Sequence, residues 1–379
     1  MTYFFIFVSA LAASFLCTHA VKKIAERFDI VDMPGAARKI HMQPIPLLGG
    51  IGIFFALLIV GGLYYFLAPS QWPSLTDAHV SAKYLAGLIV ASFVLCIAGA
   101  RDDAHALKPA QLVIAPAIAV VIVIAFGMGV DSVASPLSGR QIFLDQWNIL
   151  LFWWNGLPRY FTLPADMLTF LWLFGTMYTT KLLDGLDGLV SGITVIGAAV
   201  IGIVSLFFFV NEPTAVLSFL TAGAFAGFLL LNGHPAKIFL GEAGSTLAGF
   251  LLGVLAIISG AKFAIAMLVL GIPILDTAWV IFRRSVIERR SPFVGDRKHL
   301  HFRLLDVGFT QWQTVGILWT VSALFGVAAL FMQTQQKVTA LILLMGVMVS
   351  LVFILHWKRG RNKNFSELLP RTSSLHRKP

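Results

Sequence analysis

Apolar residues occur in long runs separated by short polar segments along almost the whole chain. About 20 consecutive apolar residues cross a bilayer as an α-helix, and lipid offers the backbone no other hydrogen-bond partner. On that template the pattern predicts an all-α polytopic membrane protein, a bundle of about eleven transmembrane helices. The predicted spans are Thr2–Cys17, Pro46–Phe66, Leu85–Gly99, Val113–Val130, Leu163–Thr180, Leu189–Val210, Thr214–Leu231, Ser245–Ile258, Phe263–Phe282, Thr314–Met332 and Thr339–Trp357.

The distribution of Lys and Arg predicts the orientation of these spans. An odd number of spans puts the termini on opposite sides of the membrane. With the N-terminus outside, about 23 of the 28 Lys and Arg residues fall in cytoplasmic segments, which is the bias expected of membrane proteins. We therefore expect an external N-terminus and a cytoplasmic C-terminus. The stretch Asp131–Leu163, which contains four Trp and Tyr residues, is expected as an external loop with an interfacial aromatic belt.

Composition supports the membrane assignment: 58% of the residues are hydrophobic and 12% are charged, about half the charged fraction of a soluble domain. The net charge of +10 would suggest nucleic acid in a soluble protein. Here it fits cytoplasmic loops beside anionic lipid headgroups, so we expect membrane lipid and no nucleic acid as a partner. The two cysteines, Cys17 and Cys96, lie in apolar runs and give no disulfide framework or metal motif.

The same pattern predicts the domain organisation. Residues 1–357 are expected to form one transmembrane domain, because apolar runs follow one another without a long polar insertion. Residues 358–379 are basic and polar, and we expect a disordered cytoplasmic tail there.

Most of the unusual acidic residues fall on one predicted face of the membrane. Asp102 and Asp103 end the third span, Asp184 and Asp187 end the fifth, and Glu242 precedes the eighth. Five carboxylates with few basic neighbours would repel one another if all were ionised. A divalent cation resolves that conflict, and oxygen ligands favour Mg²⁺ over zinc.

The central motif is Lys181-Leu-Leu-Asp-Gly-Leu-Asp-Gly-Leu189. Acidic residues at the mouth of a span are costly to keep near hydrocarbon and indicate a functional site. Glycines after each aspartate let backbone approach a ligand closely. The alternative is a tight interspan turn with helix-capping aspartates. For the adjacent pair Asp102 and Asp103, the alternative is two solvated carboxylates at the end of a span.

A third motif, Phe239-Leu-Gly-Glu-Ala-Gly-Ser245, follows Asn232-Gly-His-Pro-Ala-Lys237. A small-residue turn that opens a helix attracts anions through its free N–H groups, and a carboxylate there can hold a metal that bridges to a diphosphate. Helix capping by Ser245 alone would explain only part of this frame.

Basic and histidine residues supply candidate phosphate donors. His299 and His301 end a long basic loop, which could also be a simple positive-inside anchor; their spacing does not suit zinc on a helix. Arg38 and His41 enter the second span near headgroup level, where they could hold a lipid phosphate or set topology. Asp276 lies inside the ninth span and could serve the site or pair with a basic residue.

These motifs together resemble the polyprenyl-phosphate N-acetylhexosamine-1-phosphate transferases of glycosyl transferase family 4, which include the phospho-MurNAc-pentapeptide transferases. The resemblance covers about Val31 to Gly308, with the motifs in the family's order. It implies transfer of a sugar-1-phosphate from a UDP-sugar to a polyprenyl phosphate, with release of UMP and with Mg²⁺, or Mn²⁺ in its place, as the cofactor. The site would then lie on the cytoplasmic face of a cell inner membrane, and a homodimer is left open. The loop Asp296-Arg-Lys-His-Leu-His301, preceded by Ser291-Pro-Phe293, resembles the GlcNAc-1-phosphate branch.

The resemblance also implies roles for individual residues. Asp102 and Asp103 match the paired active-site carboxylates, expected to orient or deprotonate the acceptor phosphate. Asp184 and Asp187 match the pair that shapes the nucleotide-sugar pocket. Glu242, with Asp187, is implied as a Mg²⁺ ligand. The substrate-binding set is completed by Lys181, Asn232, His299, His301, Arg38 and His41.

Three positions depart from the family pattern. Glu242 stands where Asp is usual, Lys181 where Asn is usual, and Phe302 where a further His is common. Lys181 could contact a phosphate directly. A direct transfer and a route through an aspartyl-phosphate both fit the residues.

Two other functions are compatible with parts of the pattern. A phospho-MurNAc-pentapeptide transferase would use the same motifs with a different donor. A secondary transporter also keeps carboxylates in a helical bundle, but transporters usually place them near the midplane and are built from inverted repeats.

Overall fold

The computed structural model describes residues 1–35, 41–67, 82–135, 140–144, 146–154, 157–208, 211–259, 263–289, 299–333 and 335–350. Arg38, the basic loop before His299 and the predicted tail 358–379 lie outside the described residues.

The chain folds mainly into helices. Their bounds are α1 Thr2–Arg27, α2 Gly49–Leu67, α3 Ala82–His105, α4 Pro109–Leu112, α5 Ile114–Ala125, α6 Ala165–Leu183, α7 Leu189–Phe207, α8 Glu212–Asn232, α9 Gly241–Ile258, α10 Phe263–Val269, α11 Gly271–Phe282, α12 Leu300–Asp306, α13 Gln311–Phe331 and α14 Gln335–Ser350, with a π-helix at Arg283–Ile287. Across the described ranges, seven of these helices (α1, α2, α3, α7, α8, α9 and α13) are long and apolar enough to cross a membrane, and shorter apolar helices accompany them. The prediction of a polytopic, mainly helical membrane protein is confirmed.

The prediction that the fold is entirely helical is wrong in detail. Three small antiparallel sheets are present: β1 Val31–Asp32 with β2 Ile45–Pro46, β3 Ser132–Ala134 with β4 Gln141–Phe143, and β5 Trp147–Trp154 with β6 Leu157–Leu163. The last two lie in the stretch expected as an external loop. Aromatic and β-branched residues favour extended strands that pair with a neighbour.

Helices α3 and α9 extend beyond their predicted ends and thereby carry acidic residues of the predicted site. Helix α3 continues past Gly99 to His105, so Asp102 and Asp103 lie in its last turns. Helix α9 begins at Gly241, before the predicted Ser245, which places Glu242 in its first turn. The five predicted carboxylates therefore lie on or directly beside helix ends.

The predicted ninth span is broken into α10 and α11 at Leu270. Pro273 has no backbone N–H, so the bond that would continue α10 cannot form. The ladder resumes one residue later, where Ile274 N–H donates to Leu270 C=O at 2.8 Å.

Glycines bring the central helices into backbone contact. In α8, Gly223 and Gly227 lie against the backbone of Phe7 and Leu11 in α1. In α9, Gly249 lies against the backbone of Thr176 in α6. One turn further along α9, the C=O of Gly253 accepts a hydrogen bond from Trp172 Nε1 at 3.0 Å. Small residues permit this close packing, which is typical of membrane helices.

The same device gathers helix ends around the start of α9. Gly50 at the start of α2 meets the backbone of Gly244, and Gly99 in α3 meets the backbone of Ala243. The end of α6 and the start of α7 reach the same place. We call this the acidic end of the bundle.

Candidate active site

Asp103 is anchored on the first turn of α9. Its Oδ1 accepts a hydrogen bond from Glu242 N–H at 3.0 Å. Its Oδ2 is buried and has no hydrogen-bond partner among the described residues, and it lies so close to Gly241 Cα that a β-carbon there would clash with it. A carboxylate in this position is stabilised by the free N–H groups and the dipole at the N-terminus of the helix.

Asp102, the neighbouring carboxylate, points elsewhere. Its Oδ1 accepts a hydrogen bond from Leu107 N–H at 2.7 Å, in the segment that follows α3. The two side chains therefore diverge from the helix end, and Asp103 is the one fixed to α9.

Lys181 and Glu242 form an ion pair between α6 and α9. The Lys181 Nζ to Glu242 Oε1 distance is 2.5 Å, and the two side chains are 17% and 14% exposed. The ammonium also lies 5.4 Å from the centre of the Tyr178 ring, within the range of a cation–π contact. Three of the predicted site residues, Lys181, Glu242 and Asp103, are thus linked in a chain of contacts.

Asp184 follows the last residue of α6, and water reaches its side chain. The protein that surrounds the carboxylate raises its pKa, and the negative charges of Glu242, Asp103 and Asp187 raise it further. These charges act on one group because the acids of three helix ends are close together. Acidic residues from several helix ends thus lie near enough to Asp184 to influence its carboxylate.

Asp187 has a partner that sequence reasoning missed. Its Oδ2 contacts His234 Nδ1 at 2.7 Å and accepts a bond from Ala236 N–H at 3.2 Å. His234 is 37% exposed, while Asp187 is 16% exposed. A histidine in the polar segment before α9 could have been noted as a candidate partner for an acid. No local pattern, however, indicates that His234 pairs with Asp187, which is 47 residues away in the sequence.

Asn232, expected to bind substrate, uses both its amide oxygen and its amide nitrogen in hydrogen bonds inside the protein. Its Oδ1 accepts from Gly188 N–H at 3.1 Å and from Ser191 Oγ at 2.9 Å. Its Nδ2 donates to Ile238 C=O at 3.0 Å. Asn232 thus ties the Asp187 loop to the segment that leads into α9, which is a positioning role.

His299 and His301 lie in the interior against α11 and the Asp184–Gly188 loop. Asp276 Oδ2 contacts His299 Nδ1 at 2.7 Å, and Asp276 Oδ1 accepts from Leu300 N–H at 2.9 Å. The structure therefore shows Asp276 paired with a histidine, the structural alternative weighed from the sequence.

His301 is 1% exposed and stacks on His299, with ring centres 5.6 Å apart. Its ring nitrogens have no hydrogen-bond partner in the described part of the chain, and Nε2 faces Gly185, where an added β-carbon would lie 2.6 Å away. Burial lowers the pKa of His301 to about 3 although Asp276 opposes the shift, and the neighbouring His299 adds to it. The ring is therefore neutral at pH 7.

His41 supports the segment before α9 and does not face the acids. Its Nε2 contacts Asp32 Oδ2 at 2.9 Å and its Nδ1 contacts Gln43 C=O at 2.8 Å. The ring packs edge-on against Phe239, with centres 5.3 Å apart. Phe239 in turn is fixed by its N–H to Pro46 C=O at 2.8 Å. Arg38, the other residue predicted here, lies outside the described residues.

The predicted metal ligands are Glu242 and Asp187. Within the described ranges, no group of three or more His, Cys, Asp and Glu side chains is arranged to hold a metal ion. Both predicted ligands are engaged, Glu242 by Lys181 and Asp187 by His234. The donor chemistry nevertheless suits a hard divalent cation, because the acidic end presents carboxylate oxygens and the buried Oδ2 of Asp103 is free to accept.

The fold and this site define a polytopic membrane protein with a polar, carboxylate-rich site at one end of its helical bundle. The residue pattern of glycosyl transferase family 4 matches residues 85–260, which include most of α3, all of α4 to α9 and the acids from Asp102 to Glu242.

Relatives match over most of the chain. It is 30% identical over 365 residues to the "Decaprenyl-phosphate N-acetylglucosaminephosphotransferase" of Mycobacterium tuberculosis, covering 89% of this chain and 84% of that protein. It is 27% identical to the "Undecaprenyl-phosphate alpha-N-acetylglucosaminyl 1-phosphate transferase" of Escherichia coli, covering 90% and 88%. It is 26% identical to the "Probable undecaprenyl-phosphate N-acetylglucosaminyl 1-phosphate transferase" of Bacillus subtilis, covering 86% and 84%. The chain belongs to glycosyl transferase family 4, and its relatives are GlcNAc-1-phosphate transferases.

Proposed function

We propose that this protein transfers N-acetylglucosamine-1-phosphate from UDP-GlcNAc to undecaprenyl phosphate or a similar polyprenyl phosphate and releases UMP. The observation that carries the proposal is the junction of α3, α6 and α9, where Asp103, Glu242 and Lys181 are linked. The family membership and the names of the three relatives support the same reaction. Such a reaction would be the first membrane step in making a cell-envelope glycan.

The proposal includes the topology. With eleven spans, an external N-terminus and a cytoplasmic C-terminus, the ends of α3 and α6 and the start of α9 face the cytoplasm of an inner membrane. Seven described helices are long and apolar enough to span a membrane, and further helices lie within the other predicted spans as far as the structure describes them, which supports this arrangement. A UDP-sugar made in the cytoplasm could then meet an acceptor whose prenyl chain stays in the bilayer. We also propose that residues 1–357 act as one transferase domain.

The bond changes of the reaction define what the residues have to do. An oxygen of the polyprenyl phosphate attacks the β-phosphorus of the UDP-sugar, and the bond from that phosphorus to the bridging oxygen breaks, so that UMP leaves. Both reactants are anions, so charge neutralisation and alignment matter more than a strong base. A lipid phosphate is already mostly dianionic near pH 7, since its second pKa is about 6. Asp103, fixed on α9, would therefore orient the acceptor more than deprotonate it.

The remaining residues are assigned by their position. Asp184 and Asp187, in the loop after α6, would contact the nucleotide-sugar, with His234 and Asn232 holding that loop in place. His301, neutral and facing Gly185, would donate to or accept from a group that enters beside the loop. Lys181 would supply a positive charge for phosphate oxygens.

Mg²⁺ is the proposed cofactor, held by Glu242 with help from neighbouring carboxylates; Mn²⁺ could replace it. When bound, it would neutralise the diphosphate and stabilise the departing UMP. The family is typically Mg-dependent, and the oxygen-rich donor set supports that assignment here.

The test is a donor screen with purified full-length protein and undecaprenyl phosphate. We expect transfer of label from UDP-GlcNAc and none from UDP-MurNAc-pentapeptide. Transfer from the pentapeptide donor alone would assign the protein to the peptidoglycan branch. No transfer from any UDP-sugar, with a protein that remains folded, would refute the proposal.

A further inference from the structure

The ion pair between Lys181 and Glu242 places a fixed positive charge on the residue proposed to hold the metal. The pair is enclosed, since both side chains are less than one-fifth exposed. The ammonium is also held over the Tyr178 ring. A divalent cation bound at the proposed site and the Lys181 ammonium would therefore both contact the Glu242 carboxylate.

The pairing is built into the way the two helices pack. Helices α6 and α9 run antiparallel, and Gly249 and Gly253 fix their register against Thr176. Trp172 Nε1 adds a hydrogen bond to Gly253 C=O. Because those contacts lie two and three turns from Glu242 on α9, the register sets Lys181 opposite Glu242 at the end of the helix pair. The backbone holds the ammonium where the carboxylate is.

The surroundings show what the ammonium does there. Glu242 lies near Asp102 and Asp103, and the charges of Glu242 and Asp103 both act on Asp184. Lys181 offsets part of this negative charge in the protein without a metal. A metal that binds Glu242 must then work against both the lost ion pair and the positive charge that remains near it.

We propose that Lys181 is a built-in counter-ion that competes with the divalent cation for Glu242, and that metal binding releases the ammonium towards the anionic substrate. The inference rests on the proposed function, because it takes Glu242 as a metal ligand. It explains why Glu242 and Lys181, which both depart from the family pattern, contact each other. It also makes metal binding and the position of a phosphate donor a single, linked event.

The competition is tested by binding Mn²⁺ to the full-length protein in detergent without any substrate, using the electron paramagnetic resonance signal of free Mn²⁺. Lys181→Asn and Lys181→Met should tighten the Kd about tenfold, the order by which groups around metal ligands change affinity. Lys181→Arg keeps the charge and should retain the wild-type Kd within about twofold. Lys237→Asn is the matched control, since Lys237 is exposed in the segment that leads to α9, and it should also leave the Kd within about twofold.

The double variants complete the test. In Glu242→Gln protein, adding Lys181→Asn should no longer tighten Mn²⁺ binding, because the contested carboxylate is gone. A wild-type or weaker Kd in both Lys181→Asn and Lys181→Met, with melting curves that show folded protein, would overturn the competition while leaving the proposed transferase intact. Failure of every variant to bind Mn²⁺ would instead overturn the metal assignment on which both depend.

Discussion

The carboxylate of Asp103 accepts a hydrogen bond from the backbone N–H of Glu242, across 139 residues of sequence. This contact joins the end of α3 to the start of α9 and leaves the second oxygen of Asp103 buried and free to accept. The contact fixes the Asp103 carboxylate on the first turn of the helix that carries Glu242.

Replacing Asp103 with Asn tests whether its charge is needed for the reaction. The amide keeps the shape and can still accept from Glu242 N–H, but it loses the negative charge. We expect the rate of sugar-1-phosphate transfer to fall at least about 100-fold, with the melting temperature preserved. The measurement is transfer of labelled GlcNAc-1-phosphate by purified variants.

Asp29→Asn is the matched control for that change. Asp29 is exposed, has a positive φ of 55° that Asn tolerates, and lies just after α1 away from the acids. Its activity should stay within about twofold of the wild type, since exposed substitutions have small effects. Equal activity in Asp103→Asn and Asp29→Asn would remove Asp103 from the site.

Substitution of Gly241 should damage the site through the backbone. Gly241 has a φ of 73°, and a β-carbon there would collide with Asp103 Oδ2. We expect Gly241→Ala to lose about 1–2 kcal/mol from the left-handed backbone alone, and to lose activity because Asp103 is displaced. Chemical denaturation or thermal melting in detergent, together with the transfer assay, measures both effects.

Gly175→Ala provides the comparison on α6, where nothing lies within 4 Å of the added carbon. Alanine favours a helix over glycine, so the stability of that variant should be equal or slightly higher. A Gly241→Ala variant as stable and active as Gly175→Ala would show that the close approach to Asp103 is not needed.

Asn232 and Asn211 separate a positioning role from a purely structural one. Each amide bridges two segments at an end of α8: Asn232 bonds Gly188, Ser191 and Ile238, and Asn211 bonds Thr214 and Ile258. Replacing either with Ala should lower the free energy of unfolding by about 1–3 kcal/mol, because buried polar partners are left unpaired.

Activity should distinguish the two variants. Only Asn232→Ala frees the Asp187 loop, so at a temperature where both variants are folded its kcat/KM for the donor should fall well below that of Asn211→Ala. If the two variants lose activity in parallel with stability, Asn232 has no special part in the site.

The buried His301 should make stability depend on pH. Its folded-state pKa is lowered to about 3, whereas an unfolded histidine titrates near 6.5. The unfolded chain therefore binds a proton that the folded chain rejects, so stability is complete above about pH 6.5 and falls as the pH drops below that value. Between pH 6.5 and 5 the loss from this one group approaches about 2 kcal/mol.

His301→Gln keeps a polar side chain that does not titrate in this range. Its melting temperature should fall less than that of the wild type when the pH is lowered from 7 to 5. Parallel declines in the two proteins would mean that His301 is protonated in the folded state as readily as in the unfolded one.

The sequence predicted what depends on local pattern. Apolar runs of membrane length located the helices, and the aspartates at their ends indicated that several carboxylates meet on one face.

What the sequence could not supply are the partners chosen by packing. Lys181 meets Glu242 because glycines set the register of α6 and α9, and His234 meets Asp187 because the segment before α9 folds back beside the loop after α6. Neither pairing leaves a periodic signal. Asn232 lies in a segment rich in candidate donors, so its use as an internal brace could be seen only from its three contacts. The β5–β6 hairpin was missed because its aromatic residues were assigned to the membrane interface.

The positions of Gly50, Gly99 and Gly241 limit how this enzyme can be made more thermostable. Replacing glycine by alanine is a common way to raise melting temperature, since it restricts the unfolded chain. At these three places the added methyl would strike the backbone of α9 or the carboxylate of Asp103. Glycine-to-alanine substitutions intended to raise the melting temperature should therefore begin at positions such as Gly62 and Gly316, where no atom lies within 4 Å of an added β-carbon.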